Sequence, residues 1–153
     1  MKNTPVMKNI VLNIVALLAS VSTFSFRTST NHNLTVSVTG IRNSKGEIDC
    51  NLYSSADGFP KDVSKACKHL RGKINDGTCT VIFENVPGGK YAVSIYHDEN
   101  NDHTFNTTWY GKPAEGVGIS NGAKGGIFGP PPFEDALFNL DREKRIEINM
   151  VYL

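Results

Sequence analysis

From Leu34 onward the chain alternates apolar and polar residues with a period of two. Leu34, Val36 and Val38 share one side of the first run, and Thr35, Ser37 and Thr39 the other. That is the pattern of a half-buried strand, here running to Ile41. After the turn Asn43-Ser44-Lys45-Gly46 the alternation resumes from Glu47 to Tyr53, so the two runs read as a hairpin. Ile48, Cys50 and Leu52 then face the core together. Asp57-Gly58-Phe59-Pro60 breaks the pattern, Lys61 to Lys68 has room for one or two helical turns, and Leu70 to Ile74 reads as a short edge strand. Thr78 to Phe83 is a strand closed by Asn85-Val86-Pro87-Gly88-Gly89, and Lys90 to His97 is the clearest strand of all. Residues 98 to 133 are rich in glycine and carry Pro130-Pro131-Pro132. A loop of that length inside a domain is usually functional or disordered. Strands return at Asp135–Leu140 and Lys144–Leu153, with Ile146, Ile148 and Met150 on one face.

About seven strands with no long helix predict an all-β fold. The natural solution is an antiparallel β-sandwich of immunoglobulin-like or transthyretin-like type, with a long Gly/Pro-rich loop. Short hairpin connections favour antiparallel pairing. The immunoglobulin Cys–Trp–Cys arrangement is missing, because the single tryptophan, Trp109, falls in the long loop.

The N-terminus reads as a leader rather than as part of the fold. Lys2 and Lys8 precede the apolar run Ile10–Ala19, and Ser20, Ser22, Thr23 and Ser25 follow it. A basic start, a short apolar stretch and small residues describe a secretory signal peptide, here residues 1–25. The run is shorter than the roughly 20 apolar residues a membrane span needs, although an uncleaved anchor is the other reading. A linker over 26–33 and one domain over 34–153 would remain, secreted or held in the periplasm or cell envelope. The whole chain carries 16 basic and 15 acidic side chains. Without Lys2 and Lys8 the balance is 14 against 15, a formal charge of −1. A near-neutral chain with no basic run has no footprint for nucleic acid. Export favours disulfides, and of Cys50, Cys67 and Cys79 the pair Cys67–Cys79 flanks a turn-rich segment, leaving Cys50 as a small buried residue.

Chemistry concentrates just after the clearest strand. Asp98, Asn100, Asp102, Thr104 and Asn106 place oxygen-bearing side chains at every second position. A loop coils around a hard cation such as Ca²⁺ in this way, with Thr104 donating its carbonyl. The twelfth position, where an EF-hand carries a bidentate Glu, is Trp109. Any further carboxylate must come from Glu99, Glu115, Glu134 or Asp135. The plainer reading is an Asn/Asp-rich turn that satisfies its own backbone. Trp109, Tyr110 and Glu115, with Phe105 nearby, form a candidate ligand site for glycan or peptide, unless the aromatics simply cap the core. Glu115, Glu134 and Asp135 would suit a small hydrolase only if a cleft fixes their separation. His97 lacks a nucleophile motif beside it. No catalytic residue is assigned, and the expectation is a non-enzymatic module with an extracellular or envelope ligand.

Four ordered motifs carry a resemblance. They are Val86-Pro87-Gly88-Gly89-Lys90-Tyr91-Ala92-Val93, His97-Asp98-Glu99-Asn100, Tyr110 through Asn121, and Pro132-Phe133-Glu134-Asp135-Ala136. Together they resemble domain-of-unknown-function family 2141, an uncharacterised family of secreted bacterial proteins. The resemblance implies a small exported β-sandwich of transthyretin-like or carboxypeptidase-regulatory-like kind, and no activity. The family's loop resembles Asp-Glu-Asn-x-Asn/Asp-Gly-x-x-Asp. Asp98, Glu99, Asn100 and Asp102 match it, while His103 stands for its Gly and Asn106 for its last Asp.

Overall fold

The computed structural model describes residues 30–109, 111–126 and 129–153. The expected leader, and Tyr110 of the candidate ligand site, lie outside the described residues. Among the described residues eight strands form two sheets. β1 (Asn31–Thr39) lies between β4 (Cys79–Pro87) and β8 (Lys144–Asn149) in a three-stranded sheet. The five-stranded sheet runs β3 (Lys68–Lys73), β2 (Glu47–Tyr53), β5 (Gly89–Asp98), β6 (Val117–Ile119), with β7 (Phe138–Leu140) paired to the start of β5.

The alternation read from the sequence sets the core. Leu34, Val36 and Val38 of β1, Val81 and Phe83 of β4, and Ile148 of β8 meet Ile48, Cys50, Leu52, Val93 and Ile95 from the other sheet in one buried cluster. Among the described strands every pairing is antiparallel except one: β1 and β8 run parallel, with Val36 opposite Ile146 and Val38 opposite Ile148. The purely antiparallel expectation is corrected there. Periodicity tells which face a strand buries, and not which way its neighbour runs. β3 is the edge strand expected, and carries Lys68, Arg71 and Lys73, charges that discourage further strand pairing.

Other boundaries move. Of the helical turns expected over Lys61–Lys68, only a 3₁₀ turn at Val63–Lys65 forms, capped by Asp62 Oδ1 accepting from Ser64 N. The strand expected at Asp135–Leu140 begins with one helical turn, α1 (Phe133–Ala136), and becomes extended only at Phe138. The long loop region contains β6. The first strand begins at Asn31, inside the expected linker.

β2 and β5 are buried on both faces, unlike ordinary half-buried strands. The segments between strands fold back over the outer side of the five-stranded sheet. Phe59 packs edge-on against Tyr53 and Phe133, each at 5.4 Å, and Phe105 against Tyr96 at 5.5 Å. The Pro60 carbonyl accepts from Ser94 Oγ at 2.9 Å and from the Tyr53 hydroxyl at 3.4 Å. Phe105 thus fills the capping role considered for the loop aromatics.

All three cysteines are free thiols, so the Cys67–Cys79 bridge is absent. Cys67 is exposed just ahead of β3 and its Sγ donates to the Leu52 carbonyl at 3.2 Å, whereas Cys79 points into the core. Burial pushes the Cys50 thiol far up and that of Cys79 to about 11, so both behave as small apolar side chains.

Phe83 is fully buried in the cluster between the sheets. Phe83→Ala removes its contacts and leaves a cavity, with an expected loss of about 4 kcal/mol in urea unfolding. A loss below about 1 kcal/mol would show that the two sheets do not share the core described.

Candidate functional site

The oxygen-rich loop leaves the C-terminal end of β5. Asp98 is the last residue of the strand and is 1% exposed. Its carboxylate closes the loop back on the strand: Oδ1 accepts from Asp102 N at 3.2 Å and Oδ2 from His103 N at 2.9 Å. Such a tight return needs left-handed backbone, and Asn101 (φ 56°) and His103 (φ 61°) provide it. His103 therefore adopts a left-handed conformation, at a cost that glycine would avoid.

The other expected donors gather on the same side. Asp102 Oδ2 accepts from Asn100 Nδ2 at 2.8 Å and from Asn106 Nδ2 at 3.0 Å. Asn106 Nδ2 also reaches the Thr104 carbonyl at 3.0 Å. Asn100 Oδ1 accepts from Asp102 N at 3.1 Å, and Asp102 Oδ1 from Thr104 N at 2.8 Å. Among the four acids that might add a carboxylate, Glu115 joins the cluster, its Oε2 accepting from Asn106 N at 3.2 Å. Burial pushes the Glu115 carboxyl up, and the charges of Asp98, Asp102 and Glu99 push it further. Among the described residues no three His, Cys, Asp or Glu side chains form a metal-holding group by themselves. Amide and carbonyl oxygens would have to complete any cation site here.

Glu99 turns away from this cluster. It pairs with Arg42 Nη2 at 2.5 Å and accepts from Asn43 Nδ2 at 3.0 Å. Arg42 lies over the Tyr152 ring at 4.5 Å, and its backbone N–H donates to the Tyr152 hydroxyl at 3.1 Å. His97 is fully buried beneath, with Nε2 2.7 Å from the Lys45 carbonyl and Nδ1 2.8 Å from the Tyr152 hydroxyl. A carbonyl only accepts, so Nε2 carries hydrogen there. Both ring nitrogens are thereby used, and His97 is a structural post rather than a base open to a substrate. This clamp joins the β1–β2 turn, the end of β5 and the C-terminal tail.

Beyond the cluster the chain forms an arm. Ala114 N donates to the Asn106 carbonyl, Thr107 bridges Pro113, and Thr108 N donates to the Lys112 carbonyl at 2.7 Å. Trp109 stands at the tip, 95% exposed. It does not cap the core. Glu115, grouped in sequence with Trp109, belongs instead to the base of the arm. Glu134 and Asp135 are exposed on α1, and the acids whose charge acts on Glu115 are others. The expected carboxylate trio is not brought together.

Sequence reading missed a second polar group on the outer side of the five-stranded sheet. Asp49 is fully buried, with Oδ1 bonded to His69 Nε2 and Oδ2 accepting from Arg71 Nε at 3.0 Å. The Tyr96 hydroxyl also bonds to Asp49, and burial foremost pushes it up. Asn51, two residues along and equally buried, finds no partner for its amide among the described residues. The one available signal was that Asp49 and Asn51 alternate with Ile48, Cys50 and Leu52, which ordinarily marks a solvent-facing side.

The family model for an uncharacterised protein conserved in bacteria, DUF2141, matches residues 36–148. The chain belongs to that family. The match spans both sheets, the loop cluster and the arm, so the site described lies within the part the family shares. No curated protein and no solved structure matches the chain. No helix among the described residues is long and apolar enough to cross a membrane.

Burial pushes the Glu99 carboxyl up, but the bonds from Asn43 and Arg42 and the Arg42 charge outweigh it and hold it below 4.5. A depressed folded value stabilises above the unfolded value and is lost as pH falls through the folded one. Urea midpoints followed from pH 7 to pH 3 are therefore expected to drop less steeply below about pH 4.5 in Glu99→Gln than in the parent. Parallel curves would remove Glu99 from the acid response.

Proposed function

We propose that the chain is a non-enzymatic module of the cell envelope or extracellular space, an immunoglobulin-like or transthyretin-like β-sandwich whose 98–106 loop takes up Ca²⁺. The observation that carries this reading is the gathering of Asp98, Asn100, Asp102, the Thr104 carbonyl and Asn106 with a sixth oxygen source, Glu115, from outside the loop. The donors are all hard oxygens, in the number a Ca²⁺ ion takes, and no sulfur or imidazole is required. Asparagine amides can rotate to exchange nitrogen for oxygen, which would turn the two groups now converging on Asp102 into ligands. Glu115 supplies from a distant position the carboxylate that Trp109 denies at the twelfth. The bound ion would supply charge to hold three mutually repelling carboxylates at the base of the arm.

Ligand that binds only the folded state raises stability by mass action, about 2.7 kcal/mol at a hundredfold excess over Kd. The thermal midpoint of the full chain should rise by roughly 10 °C from EDTA to millimolar Ca²⁺. Asp98→Ala/Asp102→Ala starts lower, having lost the loop closure, and should show no such rise. Equal midpoints of the parent in EDTA and Ca²⁺ would refute the metal reading.

A second reading is favoured by the exposure of Trp109: the arm presents an aromatic surface to a glycan or peptide. Large aromatic side chains this exposed serve contacts with partners more readily than stability. Trp109→Ala should leave urea stability within about 0.5 kcal/mol of the parent. It should abolish binding on a glycan array or a peptide pool. Retained binding in that variant would exclude the arm tip as the ligand surface.

A further inference from the structure

Charge and aromatic character are sorted along the arm. Between Asp102 and Glu115 the chain has no acidic residue, and its one basic side chain from Asn106 to Ala114 is the exposed Lys112. Lys112 pairs with Thr108, one rung below the tip where Trp109 stands 95% exposed. The acids lie at the other end, where Asp102 Oδ2 and Glu115 Oε2 both accept from Asn106. From base to tip the order is therefore carboxylate, ammonium, indole. We propose that the arm tip inserts into the boundary between headgroups and acyl chains of a zwitterionic phospholipid bilayer.

The headgroup region of such a bilayer presents complementary groups in the same order, read inward from water. Lipid ammonium groups come first, then phosphates, then the ester and upper acyl layer where tryptophan concentrates. Lys112 meets the phosphates when Trp109 lies at the esters, and a flexible stem lets its ammonium stay at that level. Trp109 is three residues beyond Asn106, about 10 Å at full extension. Interfacial segments bury to a depth of about 5–10 Å, so the ring can reach its layer while the base remains in water. An anionic surface would repel Asp102 and Glu115, whereas lipid ammonium groups attract them.

Backbone pairing fits the tip for leaving water, where an unpaired polar group is costly. The N–H groups of Thr108, Gly111, Lys112 and Ala114 all donate inside the arm, and Pro113 has none. The Thr108 hydroxyl is engaged as well, donating to the Lys112 carbonyl at 3.1 Å. The tip suits lipid better than the glycan or peptide of the second reading above, with which this inference shares only the contact surface. A glycan is oriented by side chains that offer several hydrogen-bonding groups, and residues 107–113 include no carboxylate, carboxamide or guanidinium. A protein anchor sits at the centre of contacts that shield it from water, and a two-stranded tip has no such surround.

Trp109 is the single tryptophan of the chain, so its fluorescence reports the tip and nothing else. The test is a titration of the full chain, in EDTA, with vesicles of phosphatidylcholine and phosphatidylethanolamine, which contain no glycan or peptide. The expected result is a shift of emission to shorter wavelength, loss of most iodide quenching, and quenching by bromine carried on the upper acyl chains. Attachment through the apolar run Ile10–Ala19 alone would leave the emission unchanged. Lys112→Glu, a reversal on an exposed side chain, should need several-fold more lipid for half the shift, with an unchanged thermal midpoint. Unshifted emission in the parent, whether or not the chain sediments with the vesicles, would overturn the proposal. So would an undiminished response in Lys112→Glu, or a stronger one to phosphatidylglycerol vesicles.

Discussion

The structure turns on the burial of β2 and β5 from both sides. A sheet with one face on the core and one in water needs nothing above it. Here the upper face of the central pair is also closed off, so each polar group on it must find a protein partner or stay costly. Ser94 and Tyr53 answer to the Pro60 carbonyl, Asp49 to His69, Arg71 and Tyr96, and Asp98 to the loop backbone. His69 and Arg71 lie on the neighbouring strand β3 and Tyr96 on β5, while the Pro60 carbonyl and the loop backbone after Asp98 come from segments that lack regular structure. The Pro60 segment and the loop after β5 are therefore fixed by the sheet beneath them, and the loop cluster inherits its geometry from that requirement.

Asp98 shows how one side chain serves both levels. As the last residue of β5 it ends the strand, and as an acceptor it sets the turn that carries Asn100 and Asp102. Its burial is affordable because two N–H groups and His103 surround it. A charge held there also raises its neighbours' resistance to ionising, which Glu115 registers. The Arg42–Glu99 pair and the His97–Tyr152 contact brace the same corner from the other side.

Strand positions were legible because alternation records burial directly. Leu34 to Val38, Ile48 to Leu52 and Val93 to Ile95 all lie where the pattern put them. Pairing direction was not legible, since Ile146 and Ile148 would alternate identically beside a parallel or an antiparallel neighbour. The loop donors from Asp98 to Asn106 could be read from spacing. Glu115 could be named only as one acid among four, because its place depends on the fold of the arm between. Asp49 escaped notice for the opposite reason: its local pattern is that of an exposed residue, and only distant segments bury it. The Phe133–Ala136 turn likewise follows from Pro132 and the packing of Phe133 on Phe59, neither of which alternation reports.

The parallel pairing of β1 with β8 has a temporal meaning. The first described strand has one neighbour, β4, within reach midway along the chain, and its other neighbour among the last residues. Joining segments so far apart in sequence must overcome the closure entropy of nearly the whole domain, and folds dominated by such contacts form slowly. A chain emerging from the ribosome holds β1 with one edge unpaired until β8 has followed it out. Completion of the three-stranded sheet thus waits on β8, and until Ile146 and Ile148 arrive β1 presents an edge open to pairing with any other extended segment.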